Sequence, residues 1–322
     1  MKAIVQDVYG TADALELRDV DTPEPGDDDV LIRVRAAGVE QGVWHLMTGL
    51  PYLTRAFFGL KAPRNPIRGR EVAGRVEAVG RNVVGFRPGD EVYGTAEGTF
   101  AEFVCAKEAR IAKKPVNASF DQAAVVPISA TTALQGLRDS GRLQPGQDVL
   151  IIGAGGGVGS FAVQLAKALG AQVTGVCSTG KLELVRSIGA DHVIDYKHDD
   201  FADGARHFDL ILDTAGNRPL AVLRRALKPR GTLVIVGGEG GGRWTGGFER
   251  SFRAPILSLF VSQKLKGLMA TERQEDLRFL AQLIDAGSLT PVIDRSYPLG
   301  DAPEAIRYMH EGHARGKVVV TV

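Results

Sequence analysis

Gly153-Ala154-Gly155-Gly156-Gly157-Val158-Gly159 stands between an apolar run at residues 149–152 and an amphipathic stretch at 161–169. That order predicts a buried strand, a sharp turn, and a helix whose first backbone N–H groups have no partner inside the helix. Such N–H groups, together with the helix dipole, attract a pyrophosphate. Glycines permit the turn and, lacking a Cβ, let the backbone approach the ligand. A glycine run alone is a weak signal, so the flanking pattern has to decide.

Downstream, strand-like runs at 172–176, 192–195, 208–213 and 232–236 alternate with helical stretches at 181–188 and 218–227. The alternation predicts an α/β domain: a doubly wound parallel sheet with helices on both faces. A short strand around 266–270 would complete a sheet of roughly six strands. Right-handed crossovers then put the glycine turn at the carboxyl end of the first strand, beside the switch point where ligands bind. The glycine-rich segment 237–247, which Gly237 opens, reads as a mobile loop after the fifth strand on the same side of the sheet.

The end of the second strand selects the dinucleotide. An NAD site usually carries Asp or Glu about 20 residues after the glycines. Here the stretch is Gly175-Val176-Cys177-Ser178-Thr179-Gly180-Lys181, without a carboxylate. Hydroxyls and an ammonium welcome a 2′-phosphate that a carboxylate would repel. The expected cofactor is therefore NADPH, with Ser178 and Lys181 on the 2′-phosphate and Tyr196 on the adenosine side. The alternative is an ordinary helix start, with Ser178 as N-cap and Lys181 as a solvated charge.

Composition narrows the class. The chain has 322 residues, is 44% hydrophobic and carries a net charge of +1, so two sizeable cores are expected, and neither nucleic acid nor a membrane surface is an expected partner. Two cysteines, Cys105 and Cys177, exclude a disulfide scaffold and suit a reducing cytosol, so a cytoplasmic protein is expected. The N-terminus goes straight into a strand-like pattern without a signal-peptide profile. The apolar run at 254–261 is too short to span a bilayer. Residues 1–115 read as short strands punctuated by turns, a small and mostly antiparallel barrel-like unit. After the nucleotide-binding part come a helix at 273–286, a strand near Ile293, a helix at 302–311 and a strand at 317–322. This tail is expected to return to the first domain, leaving a cleft between the two. The expected domains are 1–118, 119–268, and a return over 269–322.

Four segments carry a family resemblance: Gly69-Arg70-Glu71-Val72-Ala73-Gly74 with Gly80; Gly85-Phe86-Arg87-Pro88-Gly89-Asp90-Glu91-Val92; the glycine turn with Gln164-Leu165-Ala166-Lys167; and Gly189-Ala190-Asp191. Together they resemble the medium-chain dehydrogenase/reductase superfamily, in its zinc-free quinone oxidoreductase-like branch. The resemblance implies a GroES-like, mostly β catalytic domain, a Rossmann cofactor domain, and homodimers joined through an edge strand. It places the glycine fingerprint on Ala154, Gly156 and Gly159. Cofactor contacts are then expected from Gly156, Gly157, Val158, Gly159 and Gly237, with Thr132 near the nicotinamide and Lys317 near the pyrophosphate. Zinc-dependent members hold a catalytic metal with Cys, His and Cys; the matching positions here are Glu40, Arg70 and Ile128. An arginine cannot ligate a cation and an isoleucine has no lone pair, so no metal is expected. Many zinc-free relatives carry Asn, Pro and Asp where this chain has Glu40, Gln41 and Val43.

Without a Lewis acid, a simple ketone is hard to polarise, whereas a quinone or conjugated enone spreads the developing charge itself. The expected reaction is hydride transfer from NADPH to such an acceptor, with Tyr52, water or a ribose hydroxyl as donor. Tyr52 could equally pack in the apolar loop with Phe57 and Phe58. Residues replacing ligands of one metal can face each other, so an ion pair between Glu40 and Arg70 is expected, with a cost on the order of 3–5 kcal/mol for removing either partner if it is well buried. His45 reads as a satisfied loop residue, and Cys177 as a buried strand-end thiol without a nucleophile's surroundings. Two other functions stay open: a zinc-free alcohol dehydrogenase or ketoreductase acting on a carbonyl, and a non-catalytic NADPH-binding sensor.

Overall fold

The computed structural model describes residues 1–237 and 242–322. They form two compact units: Met1–Thr131 with Glu272–Gly287 and Pro291–Val322, and Thr132–Thr271 with Ser288–Thr290.

The second unit is built around one sheet of six strands, all parallel, in the spatial order His192–Asp195, Gln172–Cys177, Asp148–Ile152, Phe208–Asp213, Leu227–Ile235, Lys264–Gly267. The strand before the glycine turn is central, and its neighbours on either side are reached in opposite directions along the chain. That is the switch point of a doubly wound fold. Val149, Leu150 and Ile151 are buried on both faces, which is why this strand is a continuous apolar run and not an alternating one. The helix Gly157–Ala168 lays Phe161, Ala162, Leu165 and Ala166 on the sheet.

Some boundaries differ from expectation. The last strand lies at Lys264–Gly267, earlier than 266–270, and the fifth is longer, at Leu227–Ile235, with a register shift opposite Phe208 and Leu210. The helix after Pro219 is shorter, at Leu220–Arg225. Segment 181–188 opens with a single 3-10 turn at Thr179–Lys181 before the helix Leu182–Ser187. Part of the loop expected over 237–247, residues 238–241, lies outside the described residues. The rest turns directly into an unforeseen helix, Glu249–Ser258, which contains Pro255. An internal proline and apolar residues on an exposed face hide such a helix from pattern reading.

The first unit carries the expected antiparallel sheet. Its order is Ile293–Pro298, Lys317–Thr321, Asp29–Val39, Glu71–Val79, Glu91–Thr95, Ile111–Lys113, with Phe103–Lys107 also paired to Asp29–Val39. All pairs are antiparallel except Ile293–Pro298 with Lys317–Thr321. Val30, Ile32 and Val34 point into a core with Val72, Val76, Val92 and Ile111, while Arg33 and Arg35, alternating with Val34, are exposed. In this unit Lys317–Thr321 pairs with Asp29–Val39, and the Tyr93 hydroxyl donates to the Leu277 carbonyl at 2.5 Å. The first unit runs on past residue 118 to Thr131, because the Ile128 N–H and the Ser129 hydroxyl both engage its buried charges. Among the described residues no helix is long and apolar enough to cross a membrane.

Candidate functional site

At the carboxyl end of the central strand, Gly153 takes a positive φ of 84°, and the Gly153 and Ala154 N–H groups donate to the Val176 carbonyl. Gly156 is the N-cap of the helix Gly157–Ala168 and offers no side chain to its first N–H groups. Those donors, at Gly157, Val158 and Gly159, have no intrahelical acceptor. The turn is packed so tightly that a Cβ on Gly159 would lie 2.0 Å from the Gly153 carbonyl oxygen. A Cβ on Gly155 would meet the stem of Lys181 at 2.8 Å, so that lysine runs alongside the turn. Free donors in a cradle lined mostly by glycine fit the pyrophosphate of a dinucleotide.

Ser178 is the N-cap of the turn Thr179–Lys181, and both Ser178 and Lys181 are partly exposed. Tyr196 follows the strand His192–Asp195, is exposed, and has the Arg218 guanidinium 6.0 Å from its ring centroid. Sequence reading missed two neighbours here. Arg218 is one. The other is Asp195, a buried carboxylate that accepts from the Thr179 hydroxyl at 2.5 Å and from the Lys197 N–H at 3.0 Å. The Thr179 hydrogen bond holds its pKa below the ordinary value. The second strand lacks a carboxylate, but the adjacent strand supplies one, engaged with the loop.

Gly237 follows the fifth strand, and a Cβ there would lie 2.8 Å from the Thr214 carbonyl oxygen. Thr132 is buried on the helix Pro127–Leu134. Lys317, expected beside the pyrophosphate, is 2% exposed, and its Nζ is held by Glu71 Oε2 at 2.7 Å and Ser129 Oγ at 2.9 Å. A phosphate oxygen would have to join or displace those partners.

In the first unit Glu40 and Arg70 face each other, but loosely: Arg70 Nη1 is 3.9 Å from Glu40 Oε1. The stronger partner of Arg70 is Glu272, at 2.9 Å, which also lies 3.4 Å from Arg110. Glu40 is 8% exposed and caps the helix Gln41–Thr48, accepting from the Gly42 N–H at 2.5 Å. With Arg70 33% exposed, solvent screens the pair, so the buried-pair cost expected for it does not apply. Glu272 comes from a distant segment, and nothing local announces it.

Arg70 lines a cavity of about 230 Å³ within this unit, together with Phe57, Phe58, Ile67, Arg68 and Thr95. Tyr52 is absent from its described lining. The Tyr52 ring instead lies under the Arg55 guanidinium, 4.8 Å away. His45 sits on the helix Gln41–Thr48 and not in a loop; its Nδ1 is 2.8 Å from the Leu50 carbonyl, and burial lowers its pKa. Cys177 is buried, and burial pushes its thiol up to about 11, which does not suit a nucleophile.

Residues 26–116 match the family described as alcohol dehydrogenase GroES-like domain, and residues 188–320 the family described as zinc-binding dehydrogenase. The 2-methylene-furan-3-one reductase of Solanum lycopersicum is 33% identical over 99% of this chain and 79% of its own. The chloroplast envelope quinone oxidoreductase homolog of Arabidopsis thaliana is 31% identical over 99% of this chain and 98% of its own. The chain belongs to the medium-chain dehydrogenase/reductase superfamily, in its quinone oxidoreductase-like branch. The solved quinone oxidoreductase of Coxiella burnetii superposes with a TM-score of 0.85 at 30% identity, covering 100% of this chain and 99% of that one. The positions matched to zinc ligands by the sequence resemblance, Glu40, Arg70 and Ile128, do not together offer a zinc ion a set of ligands. Arg70 brings a cation, Ile128 has no donor side chain, and the Ile128 backbone N–H is given to Glu71 at 2.8 Å. Among the described residues no three His, Cys, Asp or Glu side chains form a metal-binding group.

Proposed function

We propose that this oxidoreductase transfers a hydride from NADPH to a quinone or a conjugated enone without a metal. The observation that carries the reading is the glycine cradle at the switch point, where the N–H groups of Gly157, Val158 and Gly159 lie open behind a turn that admits no Cβ at Gly159. Relatives named as quinone oxidoreductases and as an alkenal/one oxidoreductase support the acceptor class. The Gly157, Val158 and Gly159 N–H groups would hold the pyrophosphate of NADPH, which when bound would supply the hydride for the electrophilic carbon of the acceptor, with one proton from water completing the reduction.

The chain's own side chains bind and orient. Arg70 is a donor in the cavity for an acceptor oxygen, and Glu40 supports Arg70 by its charge. Phe57 and Phe58 give it apolar walls. Water is the favoured proton source, since Tyr52 is not in the lining. NADPH loss followed by absorbance, with a quinone, an enone and a simple ketone, tests the function. Turnover of quinone or enone is the expected result. Turnover of the ketone alone would point to a ketoreductase, and tight NADPH binding without any turnover to a sensor.

Ser178 and Lys181 are assigned to the 2′-phosphate, with Tyr196 on the adenosine side and Arg218 adding charge nearby. Lys181→Met is then expected to raise the KM for NADPH by about tenfold or more while leaving the KM for NADH unchanged. Equal effects on the two would sink the assignment.

We also place the protein in the cytoplasm as a homodimer. Two free cysteines support a reducing compartment, although relatives include proteins named as chloroplastic and mitochondrial. For the dimer, the strand Lys264–Gly267 is a sheet edge, and Phe252, Ile256, Leu259, Phe260 and Met269 are exposed close to it in sequence. Light scattering on the eluting protein should give twice the chain mass, and Phe260→Glu should shift it towards the monomer.

A further inference from the structure

Arg68 is a buried cation without a counter-ion. It is 5% exposed, and its described partners are two backbone carbonyls, those of Leu46 at 3.4 Å and of Asn65. No carboxylate lies within ion-pair distance of it among the described residues, and its Nε is buried with no hydrogen-bond partner. Burial, the largest influence, pushes its pKa down to about 10 against the smaller opposing pulls of Tyr9 and Glu97, neither of which is within ion-pair distance. Buried charges are otherwise paired, because an unpaired one is costly.

Arg68 lines the same cavity as Arg70. Thr95 lines it too, and its Oγ1 is likewise buried without a partner. Arg110 is a third guanidinium in the wall and Arg64, exposed, a fourth. Against them stand two carboxylates: Glu272, shared between Arg70 and Arg110, and the exposed Glu97. The lining is therefore cationic overall, and among the described residues its most buried cation has no ion pair, nor has the exposed Arg64.

We propose that this cavity recognises a carboxylate on the acceptor, bound by Arg68 with help from the Thr95 hydroxyl. This rests on the reductase reading above and deepens it: the acceptor is a small conjugated carbonyl compound that also carries a carboxylate. A guanidinium presents its N–H groups as a planar fork that matches a carboxylate edge, and such charge-assisted bonds are the strong ones. The volume, about 230 Å³, is below the roughly 300–1,000 Å³ of pockets for drug-sized ligands, which favours a short acceptor. Phe57, Phe58 and Ile67 surround it with apolar contact.

The test compares trans-4-oxo-2-pentenoate with its neutral amide, both as acceptors for NADPH. The native protein is expected to turn over the acid with a kcat/KM about tenfold or more above that of the amide, and Arg68→Met to abolish the difference. Equal kcat/KM for the two in the native protein would overturn the proposal, and that comparison needs no variant to fold. A preference that survives in Arg68→Met would overturn it as well. Should no acceptor be reduced at all, the reductase reading fails by itself. Calorimetry with pentanoate and pentanamide in the presence of NADP+ then decides the anion site. Tighter pentanoate binding, weakened by Arg68→Met, supports it, and equal or absent binding of the two overturns it.

Discussion

Gly159→Ala is expected to cost NADPH affinity at least about a hundredfold and to lower the stability of the protein, although alanine is the better helix former by about 1 kcal/mol. The reason is the backbone carbonyl of Gly153, which would lie 2.0 Å from the new methyl group, with Gly153 C at 2.7 Å and Ala154 Cα at 2.8 Å. None of these is the end of a flexible side chain. The helix Gly157–Ala168 must move away from the turn, and its open N–H groups move with it. Overpacking of this kind costs typically about 1–3 kcal/mol. Gly300→Ala, in the other unit, is the matched control, since a Cβ there makes only an ordinary contact of 3.8 Å with the Leu17 side chain. Fluorescence titration with NADPH and a thermal melt of both proteins check the expectation. If Gly159→Ala binds NADPH within about threefold of the native protein, the turn is not the rigid cradle described here.

Lys317→Met is expected to destabilise the fold by about 3–5 kcal/mol at neutral pH. Glu71 is fully buried, and Lys317 is its cationic partner at 2.7 Å; the Ile128 N–H supplies one further hydrogen bond at 2.8 Å. Removing the ammonium leaves a carboxylate in a dry interior. The effect carries a pH signature. Burial, the largest influence, already holds the Glu71 carboxyl above its ordinary value, against the opposing pull of Lys317. Loss of Lys317 raises it further. Between its unfolded and folded values the native state binds more protons than the unfolded one, so stability falls as pH rises through that window. The deficit of the variant should therefore be larger at pH 8 than at pH 5. Denaturant unfolding at both values measures it. Adding Glu71→Gln to Lys317→Met should recover a substantial part of the loss, because the uncompensated charge goes with it. A deficit independent of pH and not relieved by Glu71→Gln would mean that lost packing, and not the stranded charge, is responsible.

The cofactor unit was legible in the sequence because its signals are local. Strands buried on both faces must be continuous apolar runs, as Val149 to Ile152 are, and a turn with no room for Cβ atoms must be glycine, as Gly159 is. The helix Glu249–Ser258 escaped because Pro255 interrupts its pattern and its exposed face is apolar. The vacated metal position was half legible. Glu40 and Arg70, expected to face each other, lie 3.9 Å apart. Only the folded chain, however, brings Glu272 to Arg70 across 202 positions and Lys317 to Glu71 across 246.

What the residues determined by themselves was the class of fold and the glycine turn. What the tertiary structure decided was which charges are paired. It gave Glu272 to Arg70 and Arg110, closed Lys317 onto Glu71, and left Arg68 buried among carbonyls. The division has a physical cause. Backbone periodicity and steric exclusion act between near neighbours in the chain. Charge pairing in a low-dielectric interior acts between whichever side chains the packing of distant strands and helices places a few ångströms apart.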